Sequence, residues 1–187
     1  MRPDPKLIEN LLPEDSLLEM QTFFKNNYKK FEYAEGFGRY VIGDKQIPNF
    51  DKYIEDLLPI ARKSFGSSTL QHTYSLFAHY EGNSSLYKHK DDNACTYTLD
   101  MCVYQNQPWD LYVEDKAYTL YPNQALAYYG NDQWHWREAF PNQETQHVAM
   151  IFFHFAEPDH WYFTKGPSYL SVIRKEITED EWIKNNQ

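Results

Sequence analysis

His89, Asp91 and His135 are the residues whose types and spacing best suit chemistry. Two imidazoles and one carboxylate make a facial ligand set. Such a set holds Fe(II) on one side and leaves the opposite positions open for a co-substrate and O2. In His89-Lys90-Asp91 the first and third residues would share one face of a strand. Strand parity favours Asp91 over Asp92, which an odd offset turns the other way. His135 lies 44 positions beyond Asp91, enough chain to leave the site, cross a small β-sandwich and return. An oxygenase would use this set. Each part also has a plainer reading. His89 sits in the charged string Lys88-His89-Lys90-Asp91-Asp92 and could be a surface side chain. His135, between Trp134 and Trp136, could be a core imidazole with a satisfied hydrogen bond.

The elements that must position these residues are helices first and strands after. Residues 13–30 bring Leu17, Leu18, Met20, Phe23, Phe24 and Tyr28 near one helical face. Residues 50–65 do the same with Tyr53, Ile54, Leu57, Leu58 and Ile60, and Pro59 is expected to kink or bound that helix. Residues 7–12 and 37–42 read as short strands. From Leu70 onwards, strands are expected at 73–80, 97–104, 111–113, 118–121, 125–129, 133–137 and 147–155. Over 97–104, Leu99, Met101 and Val103 alternate with Thr98, Asp100, Cys102 and Tyr104. Short strands at this spacing indicate a sandwich or barrel. Their order after the helices indicates an α+β domain with helices packed on one sheet. Thr178-Glu179-Asp180-Glu181 is a capping box before a short terminal helix. One domain is expected over 1–187: helical support at about 1–68, the strand core at about 69–156 and a C-terminal extension at 157–187.

Composition narrows the class. The net charge is −9, from 27 acidic and 18 basic residues, which disfavours a phosphate backbone as main partner. Lys25, Lys29 and Lys30 read as a solvated helix face. Two cysteines exclude a disulfide scaffold and fit a reducing cytosol. No apolar run approaches the roughly 20 residues that span a bilayer, and residues 1–5 do not read as a signal peptide. A cytoplasmic protein without a membrane span is therefore expected. Aromatics form 18% of the chain, with 16 Tyr, which suits a β-fold whose interior offers partners to hydroxyls.

The stretch Phe77-Ala78-His79-Tyr80-Glu81-Gly82-Asn83, running to His89-Lys90-Asp91, carries a likeness that extends further. It continues through Met101-Cys102-Val103-Tyr104, the turn at Gly130, His135 and His147-Val148-Ala149-Met150-Ile151-Phe152-Phe153. Over about residues 70–156 the chain resembles the 2-oxoglutarate/Fe(II)-dependent dioxygenases, specifically the prolyl 4-hydroxylase-like branch. The resemblance implies a double-stranded β-helix (jelly roll) core with supporting N-terminal helices. It implies oxidative decarboxylation of 2-oxoglutarate to succinate and CO2, coupled to hydroxylation of a C–H bond, with Fe(II) and O2. It places the iron ligands at His89, Asp91 and His135 and a tyrosine near the co-substrate at Tyr80. Tyr104 falls where the family places a Tyr or Lys that bonds the far carboxylate of 2-oxoglutarate. Asp91 points to hydroxylation or a related oxidation, because halogenating members carry Gly or Ala there.

The chain departs from the pattern at the basic anchor. The family's last-strand Arg or Lys is matched here by His147, which donates best when protonated. Arg137 shares a strand face with His135 and offers a forked guanidinium. Arg137 and His147 are expected to share the role; alternatively Arg137 pairs with Glu138 or Asp132. His154 is expected to face away from His147, and Asp100 to make a structural hydrogen bond. Tyr74, Tyr87, Trp109, Trp134 and Trp136 are candidates to line a groove for a peptide or small molecule. A prolyl peptide or free amino acid rests on fold-level analogy. The competing readings are a cupin-like metal enzyme that does not use 2-oxoglutarate and a non-enzymatic jelly-roll binding domain.

Overall fold

The computed structural model describes residues 2–141 and 144–186. The chain enters through strand β1 (Lys6–Ile8) and helix α1 (Glu14–Asn27). The hairpin β2 (Glu32–Ala34) and β3 (Arg39–Gly43) precedes helix α2 (Phe50–Phe65). Eight strands come next: β4 (Gln71–Glu81), β5 (Leu86–His89), β6 (Tyr97–Gln105), β7 (Leu111–Val113), β8 (Lys116–Tyr118), β9 (Ala125–Tyr128), β10 (His135–Arg137) and β11 (His147–Ala156). Short helices α3 (Trp161–Thr164), α4 (Leu170–Ile173) and α5 (Glu179–Asn185) come last.

Two antiparallel sheets result. The larger runs β1-β9-β6-β11-β4-β3-β2 and the smaller β5-β10-β7-β8. From β4 to β11 the chain passes repeatedly between them, which is the jelly-roll core that the family resemblance implies. No helix among the described residues is long and apolar enough to cross a membrane.

Two apolar layers explain why the strands read as they do. On the outer face of the large sheet, Met20 and Phe24 of α1 and Tyr53, Leu57 and Ala61 of α2 pack against Phe77, Met101, Ile151, Phe153 and Phe155. Between the sheets, Ala78, Tyr80, Cys102, Trp109, Leu111, Leu126, Tyr128 and Met150 form a second layer. Strand β11 is covered on both faces, so its sequence is apolar almost throughout and shows no two-residue alternation. Its odd-numbered residues Ala149, Ile151, Phe153 and Phe155 meet the helices. Its even-numbered Val148, Met150 and Phe152 face the small sheet. Pro59 lies inside α2, which runs unbroken to Phe65. The capping box at Thr178 and Glu181 forms as expected.

Three local features depart from the sequence reading. Strand β5 ends at His89, so Asp91 is in a loop and strand parity does not place it. In β6 the register slips opposite Ala149 and Met150: Tyr104 pairs with Ala149, and Cys102 pairs with Met150. The extra residue, Val103, makes a bulge that reverses the facing of the residues beyond it. Tyr104 therefore joins the helix-side layer with Val103 rather than the interior with Cys102. The hairpin strand β2 has no counterpart in the predicted elements.

Candidate metal centre

The site is built where β5 and β10 meet. His89 closes β5 and pairs across the ladder with His135, which opens β10. Their ring centroids are 4.2 Å apart. Asp91 is held in its loop by its own backbone, whose N–H donates to the Gly130 carbonyl at 2.9 Å. Gly130 is required by close approach. A Cβ there would lie 2.5 Å from Thr98 Oγ1 and 2.9 Å from the Cys95 carbonyl, and would collide with the Asp91 carboxylate.

Asp91 Oδ1 lies 3.4 Å from Nε2 of His89 and 3.4 Å from Nε2 of His135. The other ring nitrogens are tethered: His89 Nδ1 to the Tyr87 carbonyl at 2.8 Å, His135 Nδ1 to the Gln133 carbonyl at 3.0 Å. A carbonyl only accepts, so each Nδ1 carries a proton. Nε2 of each ring is thereby turned towards Asp91, where it donates to the carboxylate when it carries a proton and would offer a lone pair to a metal once that proton is lost, the outer-shell arrangement that orients metal-bound histidines. One atom from each of the three residues fits within 4.8 Å, a spacing that could hold a metal ion. Burial works against the Asp91 charge, yet hydrogen bonds from His135 and His89 hold the carboxyl well below the usual range. Burial also disfavours imidazolium at His135, but the Asp91 hydrogen bond and charge outweigh it and raise its pKa.

Asp91, Cys95 and His154 form a second cluster of the same size. Burial pushes the Cys95 thiol well above its ordinary value, although its contact with the Tyr74 hydroxyl at 3.0 Å opposes the shift. A protonated thiol is a poor ligand. Burial likewise lowers His154 to about 4, leaving a neutral ring. The set of His89, Asp91 and His135 is the better donor group.

These side chains open onto a cavity of about 370 Å³. Tyr74, Leu76, Asp100, Tyr128, Phe152 and His154 line it with the triad, as do Phe37, Arg39, Leu86 and Tyr87. Tyr74 and Tyr87 are thus the members of the expected aromatic groove found here. Trp109 is buried in the intersheet layer, and Trp136 stacks on Tyr112.

The expected anchor residues are scattered. His147 lies on the helix side, its ring 5.8 Å from that of His79. Tyr104 is there too, its hydroxyl 3.0 Å from His79 Nδ1. Both placements correct the sequence reading: the phase of β11 turns His147 outward and brings His154 in, and the bulge in β6 turns Tyr104 away. Arg137 does face the interior, in phase with His135, and is 2% exposed. Its guanidinium donates to the Trp109 carbonyl and the Met150 sulfur and lies over the Trp109 ring, outside the cavity lining. Tyr80 is buried, and its hydroxyl accepts from Arg39 at 2.6 Å.

Asp100, beside the triad, accepts from the Tyr128 hydroxyl at 3.1 Å. Burial pushes its carboxyl up to about 7; the Asp91 charge adds to the rise, while His135, Arg137 and Tyr128 oppose it. A carboxyl raised by folding stabilises the protein fully below its unfolded value, 3.8, and the contribution is lost as pH rises through about 7. Asp100→Asn should remove that loss. In metal-free protein the melting temperature of the variant relative to wild type should be lowest near pH 4 and climb to a plateau above pH 7. Thermal unfolding across this range checks it, and a difference independent of pH would contradict it.

No protein-family profile matches the chain, and no curated protein matches it in sequence. Solved structures do match. The viral collagen prolyl hydroxylase of Paramecium Bursaria Chlorella virus-1, in complex with 2-oxoglutarate, superposes with a TM-score of 0.60 at 10% identity, covering 81% of this chain and 94% of that one. HygX from Streptomyces hygroscopicus, with nickel and 2-oxoglutarate bound, gives 0.62 at 11% identity, covering 83% of each chain. The α-ketoglutarate-dependent epimerase SnoN from nogalamycin biosynthesis gives 0.64 at 11% identity, covering 82% of this chain and 77% of that one. With its alternating sheets and flanking helices, the chain has the fold of the 2-oxoglutarate/Fe(II) oxygenases.

Proposed function

We propose that this protein is an Fe(II)- and 2-oxoglutarate-dependent oxygenase in which His89, Asp91 and His135 bind the metal. The observation that carries this is the convergence of two tethered imidazoles and one anionic carboxylate at a cavity in this fold. A metal held there would couple decarboxylation of 2-oxoglutarate, with release of succinate and CO2, to oxidation of a substrate by O2. The residues of the chain supply the rest. The carbonyls of Tyr87 and Gln133 fix the two rings, Gly130 fixes Asp91, and neutral His154 leaves the metal side uncrowded by charge. A cavity of about 370 Å³ suits a small molecule or one side chain of a peptide. Hydroxylation of a C–H bond in a prolyl peptide or free amino acid is the proposed reaction, supported by the intact Asp91 and by the prolyl hydroxylase likeness.

A metal enzyme that does not use 2-oxoglutarate is the second reading. It is favoured by β11, whose inward residues Val148, Met150, Phe152 and His154 include no Arg or Lys. Anaerobic Fe(II) and 2-oxoglutarate together should give a weak visible charge-transfer band. Succinate should then form on admission of O2, faster with a matching peptide or amino acid. Metal binding with neither band nor succinate would favour the second reading.

A further inference from the structure

The last strand brings no cation into the cavity, yet a cation is there. Arg39 opens β3 and pairs in register with Tyr80 of β4. Its side chain lines the same cavity as the triad. Gly38, at φ 61°, turns the chain just before it. A Cβ on Gly38 would lie 3.1 Å from both Cα and Oγ of Ser84, and the Ser84 hydroxyl donates to the Gly38 carbonyl at 2.6 Å. This bracket seats the Phe37 ring 4.5 Å from the guanidinium carbon, while the Tyr80 ring lies 5.4 Å away. Nη1 is spent on the Tyr80 hydroxyl. Nε is buried and has no hydrogen-bond partner.

The other charges of the cavity are accounted for. Arg174 pairs with Asp92, Lys90 lies 3.7 Å from Asp132, and Asp91 belongs to the triad. No carboxylate among the described residues lies within 4 Å of the Arg39 guanidinium. Arg39 is half-buried with its Nε sealed off from solvent, and a carboxylate ligand in the cavity would supply both a counter-charge and the missing acceptor. Arg137 also has a buried Nε without a partner, but it is packed under Trp109 and does not line the cavity, so it is not open to a ligand held there.

We infer that Arg39, carried by the N-terminal hairpin, is the carboxylate receptor of this cavity, binding the carboxylate at the far end of the ligand whose 2-oxo acid end meets the metal. The inference rests on the metal-centre reading for what lies at the opposite end. It assigns recognition to an element outside the eight core strands and takes it from the expected pair of Arg137 and His147.

The test compares 2-oxoglutarate with 2-oxopentanoate, the same chain without the second carboxylate. Binding to Mn(II)-loaded protein without O2 is followed by tryptophan fluorescence. Wild type should prefer 2-oxoglutarate by about 10- to 100-fold, the range of a charge-assisted hydrogen bond. Arg39→Gln should reduce the preference to about twofold by weakening 2-oxoglutarate alone, and Arg39→Lys should restore part of it. Arg137→Gln should leave it in place. A wild-type preference that survives in Arg39→Gln, or no preference in wild type, overturns the inference. A second arm separates its failure from that of the proposed function. If wild type binds neither oxo acid, the 2-oxoglutarate reading fails. Glutarate should still raise the melting temperature of metal-free wild type and not of Arg39→Gln; without that difference the Arg39 inference falls too.

Discussion

Asp91→Ala should abolish tight metal binding while leaving the fold in place. Removing outer-shell partners of a metal site alone costs about 10- to 100-fold in affinity, so losing a ligand should cost more than about 100-fold. The carboxylate is the centre of the cluster, 3.4 Å from both imidazole nitrogens, and no other described acid takes its position. Asp92 is the internal control. It pairs with Arg174, so Asp92→Ala should keep metal affinity near wild type. In metal-free protein at neutral pH Asp91→Ala should melt below wild type, because the hydrogen-bonded carboxylate with its lowered pKa stabilises the folded state, while the carbonyl tethers of His89 and His135 keep the rings in place. The stabilisation that Mn(II) confers on wild type should vanish in the variant, since an ion stabilises only the state that binds it. Calorimetric titration with Mn(II), with melting curves with and without metal, checks both. Retained affinity in Asp91→Ala would remove this residue from the site.

Gly130→Ala should act almost as strongly without touching a donor atom. The added methyl would press on the Asp91 carboxylate, the Thr98 hydroxyl and the Cys95 carbonyl at once. Two of these are backbone-anchored or buried, so the strain cannot be shed into solvent. Overpacking of this kind costs about 1–3 kcal/mol. Relief comes from displacing the Asp91 loop, which breaks the hydrogen bond from the Asp91 N–H to the Gly130 carbonyl. The variant should therefore combine a lowered melting temperature with metal affinity reduced by at least about tenfold, the lower end of an outer-shell loss. Circular dichroism shows whether the sheets remain. Wild-type affinity and stability together would contradict the close-approach argument.

The His89-Lys90-Asp91 string and His135 were legible as a candidate ligand set only from residue type, spacing and the family resemblance together, since each residue alone also had a plainer reading. The in-phase placement of His135 and Arg137 came from strand periodicity and holds in β10. Asp91 is well placed for a reason parity does not contain: the strand stops at His89, and the Gly130 carbonyl fixes the loop beyond it. The facing of β11 was illegible because helices cover one face and the small sheet the other, and its two polar residues, His147 and His154, fall on opposite faces and so do not mark the phase. Tyr104 was misplaced by a one-residue bulge that no local sequence signal announces. Arg39 lies 50 residues before His89 and joins the cavity only because β3 adds to the edge of β4. That pairing is tertiary, and a single-strand pattern does not carry it.

X-ray absorption at the iron edge, on protein loaded anaerobically with one equivalent of Fe(II), tests the metal centre most directly. Wild type should bind one ion in a shell of nitrogen and oxygen only, with the outer-shell scattering of two imidazoles, and His135→Ala should lose it. A sulfur neighbour would move the ion to Asp91, Cys95 and His154, and failure to bind Fe(II) at all would contradict the centre altogether.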